Sequence, residues 1–301
     1  MSKPVSSTAR WNAADYAANS AVQQTWAREL IVRLNLQGDE RVLDVGCGDG
    51  KVSAEIARAV PRGTVVGVDA SPQMIEFARK TFPPLANSNL TFRVCDARKV
   101  SPAALFPGAP ASRRRVPSIP VGRRRSQVPG EGVKAAPFDI VFSNAALHWV
   151  DDHRAFLRGA AACLRSGGRL VVSCGGKGNA QDVFVALRPE VRLKRWRECF
   201  RRIPKPYFFY SPADYEKWLP QFGFKTVGIR LVPKDAVYAG RDKFFAWLRT
   251  TWLPYVQRVP EYMREAFIAA VADRYLARHP PDNAGHVHVR MVRLEIEAEK
   301  N

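Results

Sequence analysis

Residues 42–50 read VLDVGCGDG and continue into Lys51, Val52 and Ser53. An apolar run that meets glycines spaced G-x-G-x-G marks a chain leaving a buried strand and turning at once into a helix. The spacing decides what such a loop can hold. A dinucleotide-binding turn needs G-x-G-x-x-G, whose third glycine lets the helix pack close to the strand beneath a pyrophosphate. Here the third glycine, Gly50, comes one residue early and Lys51 takes the expected place. A phosphate-cradling loop needs G-x-x-x-x-G-K followed by Ser or Thr, but Val52 follows Lys51. Both phosphate readings fail.

Outward from this loop the chain alternates strand and helix. RVLDV (41–45) is the first strand and KVSAEIARAV (51–60) the helix after the glycines. TVVGVD (64–69) is a second strand, and SPQMIEFARKTF (71–82) opens as a helix with a Ser cap and Pro at its first position. NLTFRVCD (89–96), FDIVFSN (138–144) and RLVVSC (169–174) are further strands, the last preceded by a helix ending at Gly167-Gly168. Near-continuous apolar strands alternating with helices predict a parallel sheet covered on both faces. Residues 11–35 read as a leading helix. Beyond residue 180 the chain predicts one or two basic helices over 182–202, a short helix within 211–224, a strand at 228–233, aromatic-rich helices over 241–278 and a closing strand, VHVRMVRLEIEA (287–298).

Three acids mark the predicted crevice. Asp44 precedes the glycine loop, Asp69 ends the second strand and Asp96 ends the third. Open α/β sheets bind ligands outside the carboxyl ends of their strands. A carboxylate before the loop repels a diphosphate but suits an ammonium group. Asp69 can accept both hydroxyls of a ribose, and Asp96 can reach an adenine amino group. S-adenosylmethionine carries an ammonium, a ribose and an adenine, and no phosphate.

Bulk properties set the boundaries. At 301 residues, with 46% hydrophobic residues, seven Trp and 16 Phe, the chain can bury a large core. MSKPVSSTAR lacks the apolar segment of a secretory signal, and no 18-residue apolar run exists to span a membrane. Five widely spaced cysteines without a C-x-x-C pair argue against a disulfide framework or a zinc site and fit a reducing cytosol, so a cytoplasmic protein with no bound metal is the expectation. The net charge of +19 is uneven. Residues 188–205 carry eight Lys/Arg against two acids, which reads first as a solvated basic face. Residues 107–137 hold six Pro and two RRR triplets and should form a disordered basic insertion rather than a packed element. A nucleic-acid-contacting patch is the competing reading, and nucleic acid is the less favoured partner.

VLDVGCGDG, GVDASPQMIEFAR, VCDA, FDIVFSNAALHWV and LRSGGRLVVS together resemble class I S-adenosylmethionine-dependent methyltransferases over about residues 35–175. FYSPADYEKWLPQFGF, WLRTTWLPY, the closing strand and the opening WNAADYAANSAVQQTWARELI are similar to trans-aconitate methyltransferases and related small-molecule carboxyl methyltransferases. The resemblance implies an α/β fold: a Rossmann-like, seven-stranded, mostly parallel sheet with an antiparallel last strand, helices on both faces and a helical substrate cover. It implies one methyltransferase domain over 1–301, with a cofactor core at 35–175, a cover and late strand at 180–285 and the last strand at 286–298. It places the cofactor against Asp44, Gly46, Cys47, Gly48, Gly50, Asp69, Ala70, Met74, Cys95, Asp96, Ala97, Asn144 and Ala145, with S-adenosylhomocysteine as product. It puts His148 and Trp149 at the boundary between cofactor and substrate.

Methyl transfer from a sulfonium is an in-line displacement that depends on alignment. A carboxylate acceptor needs no general base at neutral pH, whereas a hydroxyl or amine does. His148 is therefore either that base or, as we prefer, a hydrogen-bonding wall residue. A carboxylate favours the guanidinium fork, which makes Arg195, Arg197, Arg201, Arg202 and Arg249 candidates. Trp149, Tyr207, Tyr210, Trp247 and Trp252 are candidate walls, with Tyr16 and Gln23 from the opening segment. His286 and His288 share one strand face without an evident acidic partner and read as structural. The expected activity is O-methylation of the carboxylate of a small, trans-aconitate-like acid by a monomer. The alternatives are N- or O-methylation of RNA, protein or another small molecule, and a nicotinamide-dependent enzyme.

Overall fold

The first strand, β1 (Arg41–Val45), lies at the middle of a seven-stranded sheet. The structure is a computed structural model and describes residues 12, 13, 15, 21–107 and 137–301. The other strands are β2 (Thr64–Asp69), β3 (Leu90–Val94), β4 (Phe138–Asn144), β5 (Leu164–Gly175), β6 (Phe224–Tyr238) and β7 (Val287–Lys300). Their order is β3-β2-β1-β4-β5-β7-β6. β1 pairs in parallel with β2 on one side and β4 on the other, and β2–β3 and β4–β5 are also parallel. β7 runs antiparallel between β5 and β6. The chain order reverses between β1 and β4, which opens a crevice above their carboxyl ends.

The helices are α1 (Ala21–Leu34), α2 (Lys51–Ala59), α3 (Pro72–Thr81), α4 (His153–Cys163), α5 (Gln181–Glu190), α6 (Pro212–Trp218), α7 (Gly240–Thr251) and α8 (Arg264–Leu276). α3 starts as its sequence dictates, with the Ser71 hydroxyl accepting from Met74 N–H and Pro72 in the first turn. α4 is capped by Asp152, and α6 by a reciprocal Ser211–Asp214 box. One face of the sheet packs against α1, α2 and α3 through Leu30, Ile56 and Ile75. The other packs against α4 and α6 through Phe156, Leu157 and Tyr215. A separate, aromatic-rich core joins α5, α7 and α8 through Leu187, Phe244, Phe267 and Tyr275, with Trp196 from the turns after α5, and forms a cover beside the crevice.

The structure departs from the sequence reading in three places. α4 ends at Cys163, not at Gly167-Gly168, because Leu164 already pairs with Phe138 and extends β5 through a bulge. β6 spans 15 residues, far beyond 228–233, since β7 supplies a partner along nearly all of it. Residues 182–202 form one helix that ends just past Pro189, then turns and a short 3-10 segment at Arg197–Phe200, because a proline cannot continue the ladder. Of the leading helix expected over 11–35, Ala13, Asp15 and Ala21–Leu34 are helical among the described residues. The basic insertion expected over 107–137 falls, but for its two end residues, outside the described residues. Among the described residues, no helix is long and apolar enough to cross a membrane.

Candidate active site

β1 ends at Val45, and the chain turns through Gly46, Gly48 and Gly50, all with positive φ. At Gly46, φ is 81° and a Cβ would come within 2.1 Å of the Ala146 Cβ, so only glycine fits there. The loop's amides face acids. Gly48 N–H donates to Asp69 Oδ2 at 3.1 Å, and Ser71 N–H donates to Asp69 Oδ1 at 2.8 Å. Asp44 is buried beneath the loop and accepts from the Ser53 hydroxyl at 2.6 Å. Burial pushes its carboxyl up to about 7, the nearby Asp69 adds to the rise and Ser53 opposes it.

Asp44, Gly46 and Gly48 border a cavity of about 480 Å³ with Asp49, Asn144 and Ala145, among others, while Asp69 and Gly50, also expected at the cofactor, do not wall it. The residues present fit S-adenosylmethionine. An acid-lined hollow without a phosphate-binding loop suits a ligand with an ammonium group, and the carboxylate of Asp69 is fixed at the end of β2 where a ribose can meet it. Lys51 is drawn onto Asp49 at 3.1 Å.

Of the other expected cofactor contacts, Cys47 also lines this cavity, while Ala70, Met74, Cys95 and Ala97 stand around the ends of β2 and β3 and do not wall it. Asp96 requires a correction. Its carboxylate is not held open for an adenine amino group, since Arg98 grips both oxygens at 3.0 and 3.1 Å through Nε. Burial works against its ionisation, yet these bonds hold Asp96 below the usual carboxylate range. Arg98 also reaches Asp151 at 2.9 Å and so ties β3 to the turn after β4.

That turn carries the second half of the site. Ala145 adopts φ 56°, an uncommon conformation for a residue with a Cβ, and borders both the cofactor cavity and a second cavity of about 600 Å³. His148 and Trp149 follow and line the second cavity. The Gly175 N–H donates to His148 Nδ1 at 3.2 Å, so the proton of the neutral ring sits on Nε2. Burial, then the charge of Arg293, depresses the imidazole to about 3. His148 is neutral throughout the physiological range. His153, nearby in sequence, is spent within the core on Tyr215 and the Leu147 carbonyl.

Tyr207, Trp247 and Trp252 line the second cavity as their residue types suggest, whereas Tyr210 instead donates to the Asp151 carbonyl. The arginine candidates are elsewhere. Arg195 is solvent-facing, paired with Glu190 at 3.3 Å and laid over Trp196, because it follows the turn that leaves α5. Arg197 and Arg201 pair with Glu198 at the surface, and Arg202 is exposed. Arg249 does not line the cavity and pairs with Asp15 at 2.7 and 3.0 Å. Tyr16 lies outside the described residues, as does the side chain of Gln23. His286 and His288 do have acidic partners, Asp235 and Asp282, brought by β6 and the preceding loop. Among the described residues no cluster of His, Cys, Asp or Glu is arranged to hold a metal.

The guanidinium at the site belongs to Arg293 on β7, which the sequence reading missed. It is 3% exposed and lines the second cavity. Nη2 donates to the Ser173 carbonyl at 2.6 Å and to Asn144 Oδ1 at 3.1 Å, and Nε to the Ser173 hydroxyl at 3.2 Å. Its group lies 5.5 Å from the Trp26 ring, within cation–π range. The signal was present in the strand's alternation. Val287, Val289 and Met291 all face inward, and Arg293 occupies the next inward position.

A family model described as a methyltransferase domain matches residues 18–228. An uncharacterized methyltransferase of Schizosaccharomyces pombe is 31% identical over 219 residues, covering 71% of this chain and 70% of that protein. A trans-aconitate 2-methyltransferase of Agrobacterium fabrum is 27% identical over 304 residues, covering 96% of this chain and 99% of that protein. Among solved structures, the YcgJ protein of Bacillus subtilis superposes with a TM-score of 0.53 at 17% identity, covering 91% of this chain and 97% of that one, which shows the shared fold. The chain therefore belongs to the methyltransferase family and is an enzyme that uses S-adenosylmethionine, with S-adenosylhomocysteine as the spent cofactor.

Proposed function

We propose that the enzyme methylates a carboxylate oxygen of a small organic acid, acting as a monomer. The observation that carries this reading is the pairing, in one cavity beside the cofactor crevice, of a buried guanidinium with an imidazole held neutral: Arg293 and His148. A hydroxyl or amine acceptor must lose a proton to a base. His148 is poorly suited to that task, because its Nδ1 lone pair is taken by Gly175 N–H and its basicity is far below neutrality. Its Nε2–H can donate to an acceptor oxygen. A carboxylate is already ionised and takes up the methyl without proton transfer.

Bound in the acidic crevice, S-adenosylmethionine supplies an electrophilic methyl group. Asp44 and Asp69 would hold it, Arg293 would fix the acid and His148 would steady one oxygen. The C–O bond forms as the S–CH₃ bond breaks, and the two charges are extinguished together. The full-length similarity to trans-aconitate 2-methyltransferases points the same way. The test is incubation with methyl-labelled S-adenosylmethionine and a panel of organic acids, followed by mild alkali. Label released as methanol is the expected result. Label that survives alkali, on an amine, a hydroxyl or RNA, overturns the carboxylate reading.

A further inference from the structure

The cavity that receives the acceptor is built for one negative charge and an apolar body. Six aromatic side chains wall it: Trp26, Trp149, Tyr207, Phe209, Trp247 and Trp252. They brace one another, with Trp149 and Tyr207 rings 5.0 Å apart and Tyr207 stacked on Phe209 at 5.6 Å. Three of the polar side-chain atoms among the walls are committed to the backbone. The Tyr207 hydroxyl donates to the Thr251 carbonyl at 2.9 Å, and the Thr251 hydroxyl donates to the Trp247 carbonyl at 2.6 Å. Asn179 Oδ1 accepts from Val292 N–H at 3.0 Å. Among the described residues that line the cavity, Arg293 alone is charged, since His148 is neutral.

Charge accounting then separates substrate classes. A carboxylate taken out of water is tolerated where a cation pairs with it. One guanidinium matches one carboxylate. A second or third carboxylate from the same molecule would leave water with no second cation among the described lining residues to pair with it. Resting on the carboxylate reading above, we propose that the substrate is a monocarboxylic acid with an aromatic or extended aliphatic body, rather than a di- or tricarboxylate. The cavity of about 600 Å³ falls within the range of pockets for molecules of that size.

The experiment compares cinnamate and octanoate with trans-aconitate and citrate, using the full chain and saturating labelled S-adenosylmethionine, with methanol release as the readout of ester formation. The same acids are titrated into the S-adenosylhomocysteine-loaded protein while tryptophan fluorescence is followed, because four of the cavity's walls are tryptophans. Cinnamate or octanoate should give kcat/KM at least tenfold above either polycarboxylate and perturb the fluorescence at correspondingly lower concentration. Ester formed from trans-aconitate or citrate with equal or greater kcat/KM overturns this proposal and leaves carboxylate methylation standing. Labelled product that resists alkali, with no methanol from any of the four acids, overturns both.

Discussion

The two cavities that meet at Ala145 are made of opposite materials. The cofactor crevice is a backbone device: a glycine turn with the carboxylates of Asp44 and Asp49, drawn from residues 44–52 and 144–145 with Gln24. The acceptor cavity is a side-chain device: aromatic rings and one buried arginine gathered from α1, the β4 turn, the loop before α6, α7 with the residue after it, and β7. The first depends on glycines at positive φ angles and carries Asp44, which titrates near neutrality. The second holds its one histidine far from its titration range. The variants below attack that contrast from each side.

The largest effect belongs to the glycine loop. Gly46→Ala meets both a φ of 81° and the Ala146 Cβ at 2.1 Å. Backbone strain of about 1–3 kcal/mol joins an overpacking cost of about 1–3 kcal/mol. The displaced Ala146 leads into His148, so the damage crosses into the acceptor half. Differential scanning calorimetry should show a large drop in Tm, and isothermal titration should show S-adenosylhomocysteine binding lost. Gly228→Ala is the internal control, since a Cβ there meets nothing within 4 Å. Its Tm should stay within about 2 °C, an edge-strand position being free of strain. Equal losses in the two variants would show that the loop's geometry is not special.

A smaller effect, about tenfold, separates the halves by pH. The buried carboxyl of Asp44 titrates at about 7 instead of near 3.8. A folded pKa above the unfolded one favours the folded state at low pH. That stability is fully present below about 3.8 and is lost as pH rises through about 7. An ammonium-bearing cofactor needs the ionised form, so binding should release a proton below pH 7. Affinity for S-adenosylmethionine should rise about tenfold per pH unit between 5 and 6, bend over near 7 and level off above. Calorimetry in buffers of different ionisation enthalpy measures both proton release and slope. In Asp44→Asn the slope should vanish and the affinity should remain low at all pH values. A slope retained in that variant would assign the titration to another group.

The same contrast explains what was legible in the sequence. β1, β2 and β4 were readable to the residue because a buried parallel strand is a continuous apolar run, and the loop after β1 because positive φ leaves its mark as glycine. Asp44 and Asp69 follow from register alone. The acceptor cavity was harder to read. Its walls are six aromatics among many that are simply core, and nothing local distinguishes Trp247, which lines the cavity, from Trp196, which packs on Phe267. The basic run over 188–205 drew attention to Arg195 because charge density is conspicuous, yet abundance of arginine at a surface says little about a site. Arg293 continues the inward phase of Val287, Val289 and Met291, but the phase turns over at Leu294, so the pattern marks it only weakly until β7 is laid between β5 and β6. Asp96 was placed at the correct strand end, but the arginine two residues later redirected it to a structural pairing.

The smallest predicted effect tests whether the acceptor half is chemically silent. His148→Asn can still accept from Gly175 N–H but places no donor where Nε2–H stood. A hydrogen bond to an acceptor oxygen is worth about 0.5–1.5 kcal/mol, or roughly twofold to twelvefold in rate. Loss of a general base costs about 10²–10⁴-fold and also removes the limb of the pH profile that the base produced. The imidazole sits at about 3, below its usual 6.5, so it is neutral on both sides of physiological pH. Its contribution to stability is present above 6.5 and lost as pH falls through that value toward 3, since protonation favours the unfolded chain. Steady-state kinetics from pH 5.5 to 9 at saturating cofactor should therefore show kcat lowered by a small factor and the profile unchanged in shape. A drop beyond 10²-fold with a flattened profile would make His148 the base after all, and would move the acceptor from carboxylates to hydroxyls or amines. A small, pH-independent loss leaves titration to the cofactor crevice and recognition of the acid to Arg293 within an aromatic wall.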